Sequence, residues 1–156
     1  MTEGILNKNI LIVDDDERLL RALAKTLSNA GAVVTTTSGA GDAIEILSRR
    51  ERSVDLVITD LRMPLVAGEA LIHYIHLLLP GLPVIVLTAF GSPERRAECV
   101  SQGAAAFLEK NLSTAQLLAE ISGVFKSRVP MKQTATNAPA QKLTTNRTIK
   151  TKRFQG

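Results

Sequence analysis

Short runs of branched apolar residues alternate with amphipathic segments five times along this 156-residue chain. The runs predict buried strands, and they cover residues 10–13, 32–37, 54–59, 83–88 and 105–109. Apolar residues at helical spacing predict five helices, which cover about 20–27, 40–50, 67–79, 93–102 and a stretch from 113 onward. This alternation indicates a parallel sheet covered on both faces by right-handed crossovers. We therefore predict an α/β fold with a five-stranded, doubly wound parallel sheet in flavodoxin-like strand order.

The last two helices carry capping signals at their starts. Ser92 precedes a proline, which predicts an N-cap followed by the first helical residue. Ser113 and Gln116 have the spacing of a capping box. The fourth helix is otherwise only weakly amphipathic, and Ala97 and Val100 are its apparent apolar positions.

Charge divides the chain into two regions. Residues 1–125 hold 11 Lys+Arg and 15 Asp+Glu, so 11 − 15 gives −4, whereas residues 126–156 hold 8 Lys+Arg and no acid, which gives +8. The second region is rich in Thr, Asn, Lys and Gln and has little to bury, so we predict a folded domain over 1–125 and a disordered basic tail over 126–156. The high pI belongs to the tail and does not indicate that the folded part binds nucleic acid.

The sequence predicts a cytoplasmic protein with no membrane partner. No apolar run approaches the roughly 20 residues needed to cross a bilayer, and the N-terminus lacks a signal-peptide pattern. Cys99 is the single cysteine. It has no partner for an internal disulfide, and we interpret it as a packed small side chain rather than a nucleophile.

Polar side chains follow four of the predicted strands at the point where each strand ends. These residues are Asp14, Asp15, Asp60, Thr88 and Lys110. Each has an ordinary explanation by itself, such as helix capping, a bond to the backbone or a solvated surface charge. The carboxyl ends of parallel strands, however, meet at one edge of a sheet, which is where such folds bind ligands. We therefore expect the five side chains to lie together.

Their chemistry suits phosphoryl transfer to a carboxylate. Three carboxylates at one place repel, so without a cation at least one should have a raised pKa. Mg²⁺ accepts oxygen ligands and would relieve that repulsion. Asp60 could then attack phosphorus and become an acyl phosphate, while a Lys ammonium and a hydroxyl hold the transferring group.

The motifs at these strand ends also resemble a known family. They read Ile-Leu-Ile-Val-Asp14-Asp15-Asp16-Glu17, Asp60-Leu-Arg-Met63-Pro64 with Gly68, Val-Leu-Thr88-Ala89 and Phe107-Leu-Glu-Lys110. In order and spacing the chain resembles a response-regulator receiver domain of a two-component system (CheY-like), and the resemblance covers about residues 8–125.

The resemblance implies a role for each site residue. Asp60 would be the phospho-acceptor, and Lys110 would pair with the phosphoryl group. Asp15 would ligate Mg²⁺ directly, Asp14 would support it through water, and the backbone carbonyl of Arg62 would complete the protein ligands.

The resemblance also implies a switch and its partners. Thr88 would move toward the phosphoryl group and Phe107 would turn inward, which changes the face formed by helix four, strand five and helix five. A sensor histidine kinase or a histidine phosphotransfer protein would supply the phosphoryl group, and phosphorylation could produce a homodimer. The domain would be no enzyme beyond its own phosphorylation and dephosphorylation.

Several positions depart from the family pattern or invite another interpretation. Asn111 follows Lys110 where the family usually has proline, often after a cis bond, and a cis bond before a residue other than proline costs about 2.5–4 kcal/mol. Arg62 and Phe90 occupy positions that tune acyl-phosphate lifetime in the family. His73 and His76 are interpreted as exposed helical residues rather than as a metal or phosphohistidine site.

Two other functions fit parts of the sequence. A phosphatase of the haloacid-dehalogenase type would use Asp14 as nucleophile and Asp16 as acid/base, but Arg18 and the lack of any acid after Lys110 other than Glu120 argue against it. A receiver-like module could instead bind partners without phosphorylation. The basic tail could contact nucleic acid through salt-sensitive phosphate contacts, although it holds a single aromatic for base stacking.

Overall fold

A computed structural model describes residues 3–49, 53–63 and 67–127 of the chain. The chain divides after Lys126 into two units, and the fold described here is that of the first. Of the predicted disordered tail, residues 128–156 lie outside the described residues, as do the predicted helix end at Arg50 and Pro64 of the third-strand motif. Lys126, the first residue of the predicted tail, is instead the last residue of a helix.

Five parallel strands alternate with five helices in the described part of the chain. Their bounds are β1 Asn9–Val13, α1 Glu17–Asn29, β2 Val33–Thr37, α2 Ala40–Arg49, β3 Leu56–Thr59, α3 Gly68–Leu78, β4 Val84–Thr88, α4 Pro93–Ser101, β5 Ala106–Glu109 and α5 Thr114–Lys126. The strand order is β2-β1-β3-β4-β5 and every pairing is parallel. The predicted flavodoxin-like fold is confirmed.

The sheet separates two apolar clusters, one on each face. Successive strand residues point to opposite faces, so Ile10 and Ile12 of β1 join the cluster with α1 and α5. Leu11 and Val13 join the cluster with α2, α3 and α4. Every residue of β3 and β4 is buried, whereas β2 is an edge strand with three exposed residues. The strands that were easiest to predict are therefore those buried on both faces.

The predicted capping signals are confirmed. The backbone N–H of Ser113 donates to Gln116 Oε1 at 2.9 Å, and the N–H of Gln116 donates to Ser113 Oγ at 3.2 Å. Ser92 Oγ accepts the N–H of Arg95 at 3.2 Å, as an N-cap does. At α1, Asp16 takes this role.

The predicted apolar face of α4 is wrong. Ala97 and Val100 are exposed, and the residue of α4 that is buried against the second cluster is Cys99. Adjacent helical residues point about 100° apart, so the small thiol, which the apolar pattern did not count, sets the face that the helix turns inward. The interpretation of Cys99 as a packed side chain is confirmed, and burial raises the pKa of its thiol.

Element bounds differ from prediction by up to three residues, as at the start of α1, which begins at Glu17. β3 begins at Leu56 rather than Val54, and the residue before it, Asp55, makes two contacts with the start of β1. The N–H of Asp55 donates to the Asn9 carbonyl at 2.7 Å, and the N–H of Asn9 donates to Asp55 Oδ2 at 2.8 Å. Among the described residues, no helix combines the length and the apolar character needed to span a membrane.

Candidate functional site

The carboxyl ends of β1, β3 and β5 bring three charged groups into direct contact. Lys110 Nζ lies 2.7 Å from Asp14 Oδ2 and 2.9 Å from Asp60 Oδ2. β1 and β3 are neighbours in the sheet, with Val13 beside Thr59, so the residues that follow them meet at the edge. One ammonium therefore bridges carboxylates from two adjacent strands.

Asp60 is held through both of its carboxylate oxygens. Its Oδ1 accepts the N–H of Leu61 at 2.7 Å and lies 3.4 Å from the N–H of Arg62, while its Oδ2 faces Lys110. The residue is only 6% exposed. These bonds orient the carboxylate at the edge of the sheet, with one oxygen bound to the backbone and the other to the Lys110 side chain.

The site has a donor set suited to a hard divalent cation. Asp14, Asp15 and Asp60 can present oxygens within 4.8 Å of one another. Asp14 and Asp60 are buried and Asp15 is exposed, so the set has a dry side and an open side. Clustered carboxylate oxygens open to water match Mg²⁺, which keeps several of its own waters.

The predicted strain among the carboxylates is present, but its main cause is different. Burial raises the pKa of Asp14, and hydrogen bonds from Lys110 and from the N–H of Asp16 offset only part of the rise. The charge of Asp60 adds a smaller contribution. Burial by itself would lower the pKa of Lys110, but the hydrogen bonds that its ammonium donates to Asp14 and Asp60 outweigh burial and raise that pKa. Desolvation therefore dominates repulsion at Asp14.

The acidic residues of the β1–α1 loop make different contacts. Asp16 Oδ1 accepts the N–H groups of Arg18 and Leu19 at 3.0 and 3.2 Å and caps α1. Asp14 Oδ1 accepts the N–H of Asp16 at 2.9 Å, which fixes the loop. A phosphatase would need Asp16 free as an acid/base, so its engagement as a helix cap weakens that alternative.

Thr88 and Phe107 both lie inside the domain. Thr88 is fully buried, and its Oγ1 is 3.4 Å from the N–H of Phe90. Phe107 is 4% exposed and belongs to the second cluster, and the guanidinium of Arg96 lies 5.5 Å from its ring centroid. Phe107 is thus already on the inward side, where it was expected to turn on activation.

The remaining singled-out residues occupy the surface around the site. Arg62 stacks over the ring of Phe90 at 4.4 Å, and Phe90 is exposed. The bond between Lys110 and Asn111 is trans, as are the other described peptide bonds. His73 and His76 are exposed on α3, as predicted.

Sequence reasoning did not foresee the close approach at Gly68. A Cβ at this position would lie 2.0 Å from the carbonyl oxygen of Asp60, and the N–H of Gly68 donates to the Leu61 carbonyl at 3.1 Å. The glycine therefore lets the start of α3 lie directly against the backbone of the site. The sequence shows Gly68 at its place in the motif, but it does not show the close contact with the Asp60 backbone that requires a glycine there.

A family model and a curated relative match most of this chain. A family model for the response regulator receiver domain matches residues 10–122. The transcriptional regulatory protein GlrR of Escherichia coli (strain K12) is 36% identical over 122 residues, which are 78% of this chain and 27% of that protein. The chain thus spans about a quarter of the length of this curated relative.

Solved structures share the fold. A response regulator receiver domain protein from Clostridium thermocellum is 27% identical with a TM-score of 0.74, covering 80% of this chain and 98% of that one. A CheX–CheY–BeF3–Mg²⁺ complex from Borrelia burgdorferi is 26% identical with a TM-score of 0.73, covering 77% of this chain and 90% of that one.

Proposed function

This chain belongs to the response regulator receiver domain family, and on that premise we propose that it is a phosphorylation-dependent switch in which Asp60 accepts the phosphoryl group. The observation that carries the proposal is the contact of Lys110 with both Asp60 and Asp14. A buried carboxylate held by the backbone on one side and by a single ammonium on the other is positioned as a nucleophile next to the cation that would receive the product's charge.

The residues of the site divide the chemistry among them. Asp60 Oδ2 attacks phosphorus, and Oδ1 stays bound to the N–H of Leu61, which keeps the carboxylate from rotating. Lys110 moves from its bridging position to an oxygen of the transferred group. The hydroxyl of Thr88 is released from the Phe90 N–H and holds a further oxygen. Catalysis here is positioning and charge neutralisation, as in other phosphoryl transfers.

Asp14, Asp15, Asp60 and the carbonyl of Arg62 would hold Mg²⁺. When bound, the ion neutralises charge on the transferring group. The support from this chain is the cluster of three carboxylates, and the similar Borrelia burgdorferi complex contains Mg²⁺.

Partners follow from the same proposal. The donor is a sensor histidine kinase or a histidine phosphotransfer protein, and the output is a change in the face of α4, β5 and α5, with homodimer formation as one readout. Thr88 ends β4, and only the short loop that starts at Ala89 separates it from α4. Movement of Thr88 therefore shifts the position of α4 and changes this face. Contact of the basic tail with nucleic acid is not part of the proposal.

The test is intact mass after incubation with acetyl phosphate, with and without Mg²⁺. We expect a gain of about 80 Da, one phosphoryl group, that requires Mg²⁺ and is lost in base. Asp60→Asn should remove the gain and keep the circular dichroism spectrum. Asp16→Asn is the matched control, because Asn caps a helix about as well as Asp does, and it should be labelled like the wild type.

Two outcomes would contradict the proposal. Labelling of Asp60→Asn at another residue would show that the acceptor is misassigned. A wild-type chain that neither gains mass nor consumes the donor would point instead to a module that binds partners without phosphorylation.

A further inference from the structure

A cleft of about 530 Å³ opens beside the acidic site, within the size range of small-molecule pockets. The residues that line it come from the β1–α1 loop, the β3–α3 segment and the first turns of α3 and α4: Asp15, Leu61, Arg62, Met63, Ala67, Glu69 and Arg95. Leu61 and Arg62 directly follow Asp60, so the cleft adjoins the reacting carboxylate.

Arg62 and Arg95 are the two cations among the residues that line this cleft. Arg62 stacks on Phe90. Arg95 is half-buried, and within the described part of the chain its guanidinium has no ion pair within 4 Å, although Glu69 lines the same cleft. A guanidinium without an ion pair is suited to bind a carboxylate, since its planar donors match the two oxygens.

Three of the residues that line the cleft are apolar. Leu61, Met63 and Ala67 supply aliphatic and thioether groups. A ligand that suits both these groups and Arg95 has a short carbon chain next to a group that becomes a carboxylate. The carboxyl half of an acyl phosphate has this chemistry.

We propose that the cleft binds the acyl half of a small acyl-phosphate donor and that Arg95 holds the carboxylate as it departs. The proposal rests on Asp60 being the phospho-acceptor. An oxygen of Asp60 forms a bond to phosphorus, and the bond between phosphorus and the acyl oxygen breaks. The electron pair of that bond leaves with the carboxylate, so the products are the phosphorylated Asp60 and a free carboxylate anion, with no proton or oxidant required.

Arg95 stabilises the anion that forms on this leaving oxygen, so its effect depends on the leaving group. Acetyl phosphate releases acetate, whereas phosphoramidate releases ammonia and forms no carboxylate. A guanidinium that only raised the local concentration of anionic donors would speed the reaction with both donors. A guanidinium that holds the leaving carboxylate speeds the reaction with acetyl phosphate alone.

The experiment measures the bimolecular rate constant of phosphorylation with each donor in Mg²⁺. Arg95→Ala should slow the reaction with acetyl phosphate by about tenfold, the effect of one charge-assisted hydrogen bond, and leave the rate with phosphoramidate unchanged. Arg95→Lys should restore part of the loss. Arg49→Ala is the charge-matched control, because Arg49 ends α2 outside the cleft, and it should leave both rates unchanged.

The outcomes separate this proposal from the function on which it rests. If Arg95→Ala slows both donors equally, or slows neither, the assignment of the cleft is overturned while Asp60 remains the acceptor. If the wild-type chain is phosphorylated by neither donor, the acceptor proposal itself fails. An unfolded Arg95→Ala would be recognised by circular dichroism, and Arg95→Gln then provides the same comparison.

Discussion

Lys110 decides the electrostatic state of the site, because its single ammonium is shared between Asp14 and Asp60. Burial raises the pKa of the Asp14 carboxyl. Ionised Asp14 therefore opposes folding at neutral pH, and protonation relieves that cost. Lys110 offsets only part of the desolvation cost of ionised Asp14.

We expect Asp14→Asn to raise the free energy of unfolding at pH 7.5 by about 1 kcal/mol in Mg²⁺-free buffer. Because the pKa of Asp14 is raised in the folded state, the wild type regains stability from this group as pH falls through the folded pKa toward the unfolded value of about 3.9. The advantage of the variant should therefore shrink on acidification and vanish once Asp14 is protonated in both states. Urea unfolding at several pH values measures it, and an advantage independent of pH would contradict the explanation.

Residue types at the site were predictable, but their contacts were not. A strand that ends in Asp or Lys predicts a polar edge, so Asp14, Asp60 and Lys110 could be grouped from the sequence. The sequence could not show that Asp16, rather than Asp14, caps α1. A run of three aspartates offers three possible caps, and the backbone geometry selects one of them. The position of Arg95 in the cleft likewise depends on how α4 is oriented, which the sequence pattern of this helix did not indicate.

At the scale of elements, the start of α3 is fixed by the absence of a side chain at Gly68. Its φ is not left-handed, unlike those of Gly31 and Gly103, so alanine is acceptable to the backbone and only the contact with the Asp60 carbonyl excludes it. The position of a helix and the position of the candidate acceptor are thereby linked.

Gly68→Ala should lower the free energy of unfolding by roughly 2–3 kcal/mol, since either α3 or the Asp60 backbone must shift. It should also slow phosphorylation. Gly41→Ala is the control within a helix: nothing lies within 4 Å of its Cβ position, and the substitution should stabilise by about 0.5–1 kcal/mol. Denaturant titration of both variants tests this, and a Gly68→Ala chain as stable as the wild type would refute the packing account.

Strands were predicted better than helix faces. β3 and β4 are continuous apolar runs because both of their faces are covered. A short run of this kind predicts a buried strand with few competing interpretations. α4 has a single buried residue, Cys99, so one side chain decides its rotation and the usual apolar periodicity gives no guidance. Because α4 is only weakly amphipathic, its sequence does not determine which face packs against the sheet.

For the whole molecule, binding of a divalent cation to Asp14, Asp15 and Asp60 should appear as added stability. A ligand that binds only the folded state stabilises it by about 1.4 kcal/mol at tenfold its Kd. We expect Mg²⁺ to raise the melting temperature in proportion to the logarithm of its concentration. Asp15→Asn should abolish the rise, whereas Asp42→Asn, on the exposed first turn of α2, should preserve it. Equal responses in the two variants would place the ion elsewhere.

The bond between Lys110 and Asp14 joins residues that are 110 − 14 = 96 positions apart, with Asp60 between them in the chain. No local segment contains this trio, so the Lys110 contact forms only once the last strand has joined the sheet. If Asp60 is the phospho-acceptor, as proposed, a chain that has not finished folding lacks this contact and should not be phosphorylated. Phosphorylation would then report that the molecule that carries it has folded.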